Sequence, residues 1–273
     1  MKKIILSACF VSAITFPAFA GTNDFTNGGF ENGTLSGWTL NSGVWNSSGA
    51  ETLNNSYQGD SAVITDASAK DANTNGNLFE VLQGSNSLRL NNAANGYHFS
   101  RLTQTVTDYT GADLYFGFAA VLENPANPHT EAQTPKFDFT LMNVTTGETL
   151  YRVQFDSRNA SSQGITWNAG KTTSNGPSTW MYSNWNVVHV DTSKLTGNTL
   201  GLIVTAYDCG LGGHGGYAYV DSFQPTAPTP NEGVIVNNID AINLTQVPEP
   251  SSFVLAGLGI ASLALLRRNS GRK

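Results

Sequence analysis

The chain has 273 residues, of which 40% are hydrophobic and only 12% charged, enough apolar material for a sizeable core. Its net charge is −6, and without the basic ends at residues 1–20 and 247–273 it holds eight basic against 19 acidic residues, a charge near −11. A body this acidic repels polyanions, so nucleic acid is excluded as a partner because its binding rests on cationic contacts. Divalent cations, polycationic surfaces and neutral sugars stay open.

Met1-Lys2-Lys3 is a basic start, Ile4 to Phe16 an apolar run and Ala18-Phe19-Ala20 a small-x-small cleavage site. Residues 1–20 therefore read as a secretory signal peptide, with the mature chain starting at Gly21. Leu6-Ser7-Ala8-Cys9 competes as a lipoprotein cleavage box that would leave Cys9 lipidated. Its apolar stretch, between Lys3 and Cys9, is too short for a normal signal. Loss of Cys9 leaves Cys209 alone, so no internal disulfide is expected and Cys209 is expected to be buried.

Residues 21–225 suit one all-β domain, and no 20–50-residue repeat is visible. The opening stretch reads Asn27-Gly28-Gly29-Phe30-Glu31, a turn at Asn32-Gly33, then Gly37-Trp38 and an alternating run. This pattern resembles the opening strand of galactose-binding-like jelly rolls, the scaffold of many carbohydrate-binding modules. The resemblance implies a two-sheet antiparallel jelly-roll sandwich. It also implies that Glu31 joins a late-strand aspartate, here Asp221, in holding a structural calcium.

Residues 41–77 are polar and rich in Gly, Asn and Ser, with short apolar pieces at Val44-Trp45 and Ala62–Thr65, and predict a long loop with short strands. Strands are expected at Leu78–Leu82, Ser87–Leu90 and Tyr97–Val106. Leu114–Leu122 is almost wholly apolar, as in a strand buried on both faces. Phe137, Phe139 and Leu141 alternate with Asp138 and Thr140, as in a strand buried on one. Thr145–Glu148 reads as a hairpin turn and Leu150–Phe155 as the returning strand. Glu123–Pro135 is a proline-stiffened loop offering Glu123, His129 and Glu131 as cation ligands. Val187–Val190, Leu200–Tyr207 and Tyr217–Asp221 predict the closing strands. The run Asp208-Cys209 … Gly213-His214 … Gly216-Tyr217-Ala218-Tyr219-Val220-Asp221, with the Glu123–Phe137 loop and the Trp185 strand, resembles a set of secreted, sorting-signal-bearing bacterial domains. That likeness spans residues 23–224.

Three kinds of chemistry are open. Calcium takes six to eight oxygens from carboxylates and carbonyls. The first and last strands of a jelly roll lie side by side, so Glu31 and Asp221 are expected to share such an ion with carbonyls near Asn23–Asn27. Sugar sites stack rings beside polar groups. Trp45, Tyr97, Trp180, Tyr182 and Trp185 are the candidates, Trp167 a further ring, each competing with a place in the core. Catalysis has the weakest support, because no pair of carboxylates or triad is marked by spacing. His214, amid glycines, is its most site-like residue.

Residues 226–246 read as a linker or a last strand. Residues 247–273 then give Pro248-Glu249-Pro250, an uncharged run at 253–266 and the pair Arg267-Arg268. As a helix, 253–266 is about 21 Å long, short of a bilayer core of about 30 Å, and spans by thinning the bilayer while the arginines reach cytoplasmic headgroups. This order resembles the PEP-CTERM sorting signal of Gram-negative bacteria. The resemblance implies transient inner-membrane anchoring, recognition by an exosortase-type membrane protease, and release to the cell surface or extracellular matrix. An ordinary C-terminal anchor is the competing reading. The expected role is a surface or matrix (biofilm) protein that binds extracellular polysaccharide. A structural matrix component without a sugar site and a glycan hydrolase are the alternatives.

Overall fold

The computed structural model describes residues 23–125, 129–130, 133–156, 164–173 and 178–240. The signal-cleavage residues Ala18 and Ala20, the sorting residues Pro248, Glu249, Pro250, Arg267 and Arg268, and the apolar run 253–266 lie outside them. Among the described residues no helix is long and apolar enough to cross a membrane.

The strands are β1 (Thr39–Trp45), β2 (Glu51–Leu53), β3 (Ala62–Ile64), β4 (Ser87–Leu90), β5 (His98–Val106), β6 (Asp113–Asn124), β7 (Lys136–Asn143), β8 (Glu148–Asp156), β9 (Trp167–Thr172), β10 (Thr179–Ser183), β11 (Trp185–Asp191), β12 (Leu200–Tyr207), β13 (Gly216–Gln224) and β14 (Val236–Asp240). They form a jelly-roll sandwich. One sheet has six strands in the order β2-β1-β5-β12-β7-β8. The other has the order β14-β11-β6-β13-β4-β3, with β9 and β10 joined to the far end of β6. Every pairing is antiparallel except β11 with β14, which is parallel.

Strand alternation builds the core. Leu102, Val204, Phe137, Phe139 and Phe155 of the six-stranded sheet meet Leu88, Phe116, Phe118, Val188 and Val220 of the other, all buried. Phe116 and Phe139 stack across the interface at 3.9 Å between ring centroids. The eight-stranded sheet is covered on its outer face as well. There Ala119, Val121, Trp185, Val187, Tyr217 and Tyr219 pack with Leu78, Leu82, Trp180 and Tyr182. That explains why β6 is apolar throughout: it is buried on both sides. Asp71 fastens this cover. Its Oδ2 accepts hydrogen bonds from the Tyr217 and Tyr219 hydroxyls at 2.6 and 2.8 Å, and its Oδ1 accepts from the N–H groups of Asn73 and Thr74.

Two expected strands are absent. Leu78–Leu82 forms only one bridge, Phe79 with Lys70, because its apolar side chains cover a sheet rather than extend it. Residues 25–31 form turns, with Asn27 and Phe30 at φ of 54° and 57°. Phe25, Phe30 and Trp38 instead plug one end of the sandwich against Phe223. Gly28 is required there: a Cβ would sit 1.9 Å from the Phe223 carbonyl oxygen, while Gly28 accepts a hydrogen bond from the Phe223 N–H at 3.1 Å.

Candidate functional site

Because β1, β5, β12, β7 and β8 alternate, the residues between their core positions form the outer face of the six-stranded sheet. Trp45, Phe99 and Tyr207 make a ring cluster there, apart from the main core. Arg101 lies beside it with its guanidinium over the Phe99 ring at 5.2 Å. Arg101 donates to Glu51 Oε2 at 2.7 Å and to Thr205 Oγ1 at 3.1 Å. The Tyr207 hydroxyl donates to Glu51 Oε1 at 2.6 Å. Two strands along, Arg152 donates to Asp138 Oδ2 at 3.1 Å and to Gln154 Oε1 at 2.9 Å. The Lys136 ammonium lies 4.5 Å from the Trp45 ring and 4.7 Å from the Tyr207 ring.

Arg101, Lys136 and Arg152 are three of the eight basic residues of the chain without its ends. A single sheet face thus gathers three cations, each beside an acid or a ring. These groups are half-buried rather than free in solvent: the side chains of Arg101 and Glu51 are 23% and 30% exposed. Their positions are fixed by strands, and the polar atoms point across a surface floored by rings. Such a surface can bind a hydroxyl-rich chain by hydrogen bonds and by contact with ring edges.

The five rings expected to bind sugar separate into two kinds. Tyr97 is 47% exposed, with φ of 66° and its ring against Gly212. The others are corrected to buried positions. Trp185 is fully buried on the outer face of the eight-stranded sheet and donates its indole N–H to the Phe79 carbonyl at 2.9 Å. Trp180 and Tyr182 are each 6% exposed in the same layer. Trp45 belongs to the outer face of the six-stranded sheet but is only 2% exposed, under Tyr207 and Lys136, and donates its indole N–H to the Asp208 carbonyl at 3.0 Å. Flat polar neighbourhoods in the sequence mislead here because the indoles use backbone carbonyls as partners. The sequence does not mark Arg101, Glu51, Arg152 or Gln154 as candidates, and Asp138 shows there only as the polar partner of Phe137 and Phe139 in an alternating strand.

Glu31 and Asp221, the expected metal pair, both bond to the turn from Leu82 to Asn86. Asp221 lies at a bulge in β13, followed by Ser222 at φ of 60°. Its Oδ2 accepts the N–H groups of Leu82 and Gln83 at 3.2 and 3.1 Å. Glu31 accepts the N–H groups of Ser85 and Asn86 at 3.1 Å. Two carboxylates from distant segments therefore clamp one turn, and the Glu31 Cγ and Asp221 Oδ1 lie 3.5 and 3.6 Å from where a Cβ would stand on Gly29. Asp221 Oδ1 is buried with no hydrogen-bond partner, and burial holds this carboxyl well above the usual range. An orphaned buried oxygen is the kind of ligand a hard cation takes.

Of the loop ligands, Glu123 accepts the Gly215 N–H at 3.1 Å and burial pushes its carboxyl up. Glu131 lies outside the described residues. Cys209 is fully buried, as expected of a lone thiol. Asp208, beside it, accepts from Asn91, Gly216 and His98, and burial pushes its carboxyl up to about 8.

Comparison with known proteins bears on the two parts of the chain separately. No curated protein matches the sequence. Among solved structures, TmCBM61 in complex with beta-1,4-galactotriose is 13% identical, over 73% of this chain and 95% of its own, with a TM-score of 0.39. A carbohydrate-binding module described as specific for non-crystalline cellulose is 15% identical over 74% and 94%, at 0.33. The C-terminal family 22 carbohydrate binding module of Clostridium thermocellum Xyn10B is 14% identical over 74% and 93%, at 0.28. These likenesses are distant, and the fold stands on the strand pairings of this chain. Residues 246–268 match the PEP-CTERM protein-sorting motif, which marks the protein for export to the cell surface or beyond.

Proposed function

We propose that the exported domain binds an extracellular polysaccharide across the outer face of its six-stranded sheet, after an exosortase-type protease of a Gram-negative cell has removed its tail at the inner membrane. One observation supports this reading most: three of the eight basic side chains lie on that face, each beside an acid or a ring. Arg101, Glu51, Asp138, Arg152 and Gln154 supply donors and acceptors to sugar hydroxyls, and Tyr97 stacks on a ring at the loop end. Binding is the reading these residues support, since Glu51 and Asp138 are each tied to an arginine in a fixed array of donors and acceptors. A structural matrix component is the competing reading, in which the same pairs only rivet neighbouring strands.

Affinity electrophoresis through gels containing soluble neutral and uronate polysaccharides tests this. The wild-type protein is expected to be retarded by at least one polymer, and Arg101→Ala, shown to be folded by circular dichroism, to migrate freely. Equal migration of the two proteins in every gel supports the structural role. Release of reducing ends from any polymer would revive the hydrolase.

We further infer a structural calcium held by Asp221 Oδ1 and the Glu31 carboxylate. It neutralises two acids brought together and ties the opening turns to β13.

A further inference from the structure

We propose that His129, Cys209 and His214 form a binding site for a zinc-like transition-metal ion. One ligand atom from each lies within 4.8 Å of the others. Two imidazole nitrogens and a sulfur are a soft set that suits zinc and its neighbours and is foreign to calcium. The site therefore stands apart from the Glu31–Asp221 pair in position and in chemistry.

Each donor is presented by a fastened backbone. The loop after β12 closes on itself, with the Cys209 N–H donating to the His214 carbonyl at 2.8 Å and the Gly212 N–H to the Cys209 carbonyl at 2.7 Å. Glu123 and Gly215 exchange two hydrogen bonds at 3.1 Å, which fixes the residue after His214 to the end of β6. The His129 side is joined to the same loop. The Gly210 N–H donates to the Gln133 carbonyl at 3.1 Å, and Thr130 and Gln133 are linked by two bonds of 2.9 and 3.0 Å.

Two further observations point to an ion. The Leu211 N–H donates to Cys209 Sγ at 3.3 Å, which holds the sulfur in place on the loop. His214 Nδ1 is buried without a hydrogen-bond partner, and the two histidine rings meet edge-on at 5.0 Å. In a bound tetrahedral site, with Zn–N near 2.1 Å and Zn–S near 2.3 Å, ligand atoms stand roughly 3.5 Å apart. Donor atoms within 4.8 Å of one another are thus already near that spacing. Three protein donors leave one tetrahedral position for water or for a group on a bound ligand, and the exposed Tyr97 ring borders the same loop at Gly212.

The full-length protein, stripped with a strong chelator under reducing conditions and titrated with cobalt(II), tests the site. One equivalent is expected to give visible d–d bands and a near-ultraviolet thiolate-to-cobalt band, both erased by zinc and not by calcium. Cys209→Ser should keep its circular dichroism and lose the thiolate band. His214→Ala should weaken binding by more than the roughly ten- to hundredfold typical of losing an outer-shell partner. His129→Gln, outside the strands, serves where the other variants fail to fold and should weaken binding likewise. A wild-type protein that gives no cobalt spectrum, or a folded Cys209→Ser whose thiolate band is unchanged, overturns the proposal.

Discussion

At the scale of single residues, Arg101 carries most of the argument for a binding face. Its guanidinium spans Glu51, Thr205 and the Tyr207 hydroxyl. Removing it strands Glu51 among partly buried neighbours. Arg101→Ala is expected to cost about 1–3 kcal/mol in urea unfolding, the range for hydrogen bonds to charged groups. A loss well under that range would mean that the pair is as weak as an exposed ion pair. Trp185 gives the opposite case. It is fully buried, and Trp185→Ala is expected to cost about 3–5 kcal/mol while the remaining folded protein keeps its affinity for polysaccharide. A folded Trp185→Ala that loses affinity would return the indole to the site.

Both residues show what the sequence could tell. That a tryptophan sits beside polar residues was legible; that its N–H would find the Phe79 carbonyl, 106 positions away, was not. Glu31 and Asp221 were legible together only through a family resemblance. Nothing in their own neighbourhoods states that Asp221 Oδ1 is left without a partner.

At the scale of elements, the segment before β4 and the opening turns act as fasteners. With calcium held between Glu31 and Asp221, the ion ties turns that have no strand partner to the bulge in β13. Adding calcium to stripped protein at about 100 times its dissociation constant is expected to stabilise the fold by about 2.7 kcal/mol. The measurement is the melting temperature, and Asp221→Asn should abolish the shift. An unchanged melting temperature in wild-type protein removes the ion from the account.

The cover over the eight-stranded sheet makes a separate prediction. Burial raises the Glu80 carboxyl, with Asp71 adding repulsion and Tyr219 pulling it partly back. The folded state thus holds this proton more tightly than the unfolded chain does. The stabilisation is complete below the ordinary glutamate range and disappears as pH rises through the raised value. Glu80→Gln should flatten that part of the stability–pH curve, and an unchanged slope would show that Glu80 titrates alike in both states. Strands such as β6, β7 and β12 were legible from apolar periodicity alone. The Leu78–Leu82 segment was not, because a short apolar run reads the same whether it pairs with a sheet or lies on it.

At the scale of the whole molecule, the two sheets have divided roles. The eight-stranded sheet is buried on both faces and holds the domain together. The six-stranded sheet buries one face and turns the other, polar and partly charged, toward solvent. β14 adds a parallel edge strand from residues 236–240, so part of the stretch 226–246, open between a linker and a last strand in the sequence, pairs with the sandwich. The sorting motif marks this body for export to the cell surface or beyond. The most direct measurement is calorimetric titration of the purified protein with the polysaccharide that retards it most. The account predicts saturable binding that Arg101→Ala, while still folded, reduces at least tenfold, about 1.4 kcal/mol. Equal affinity in the two proteins would contradict it.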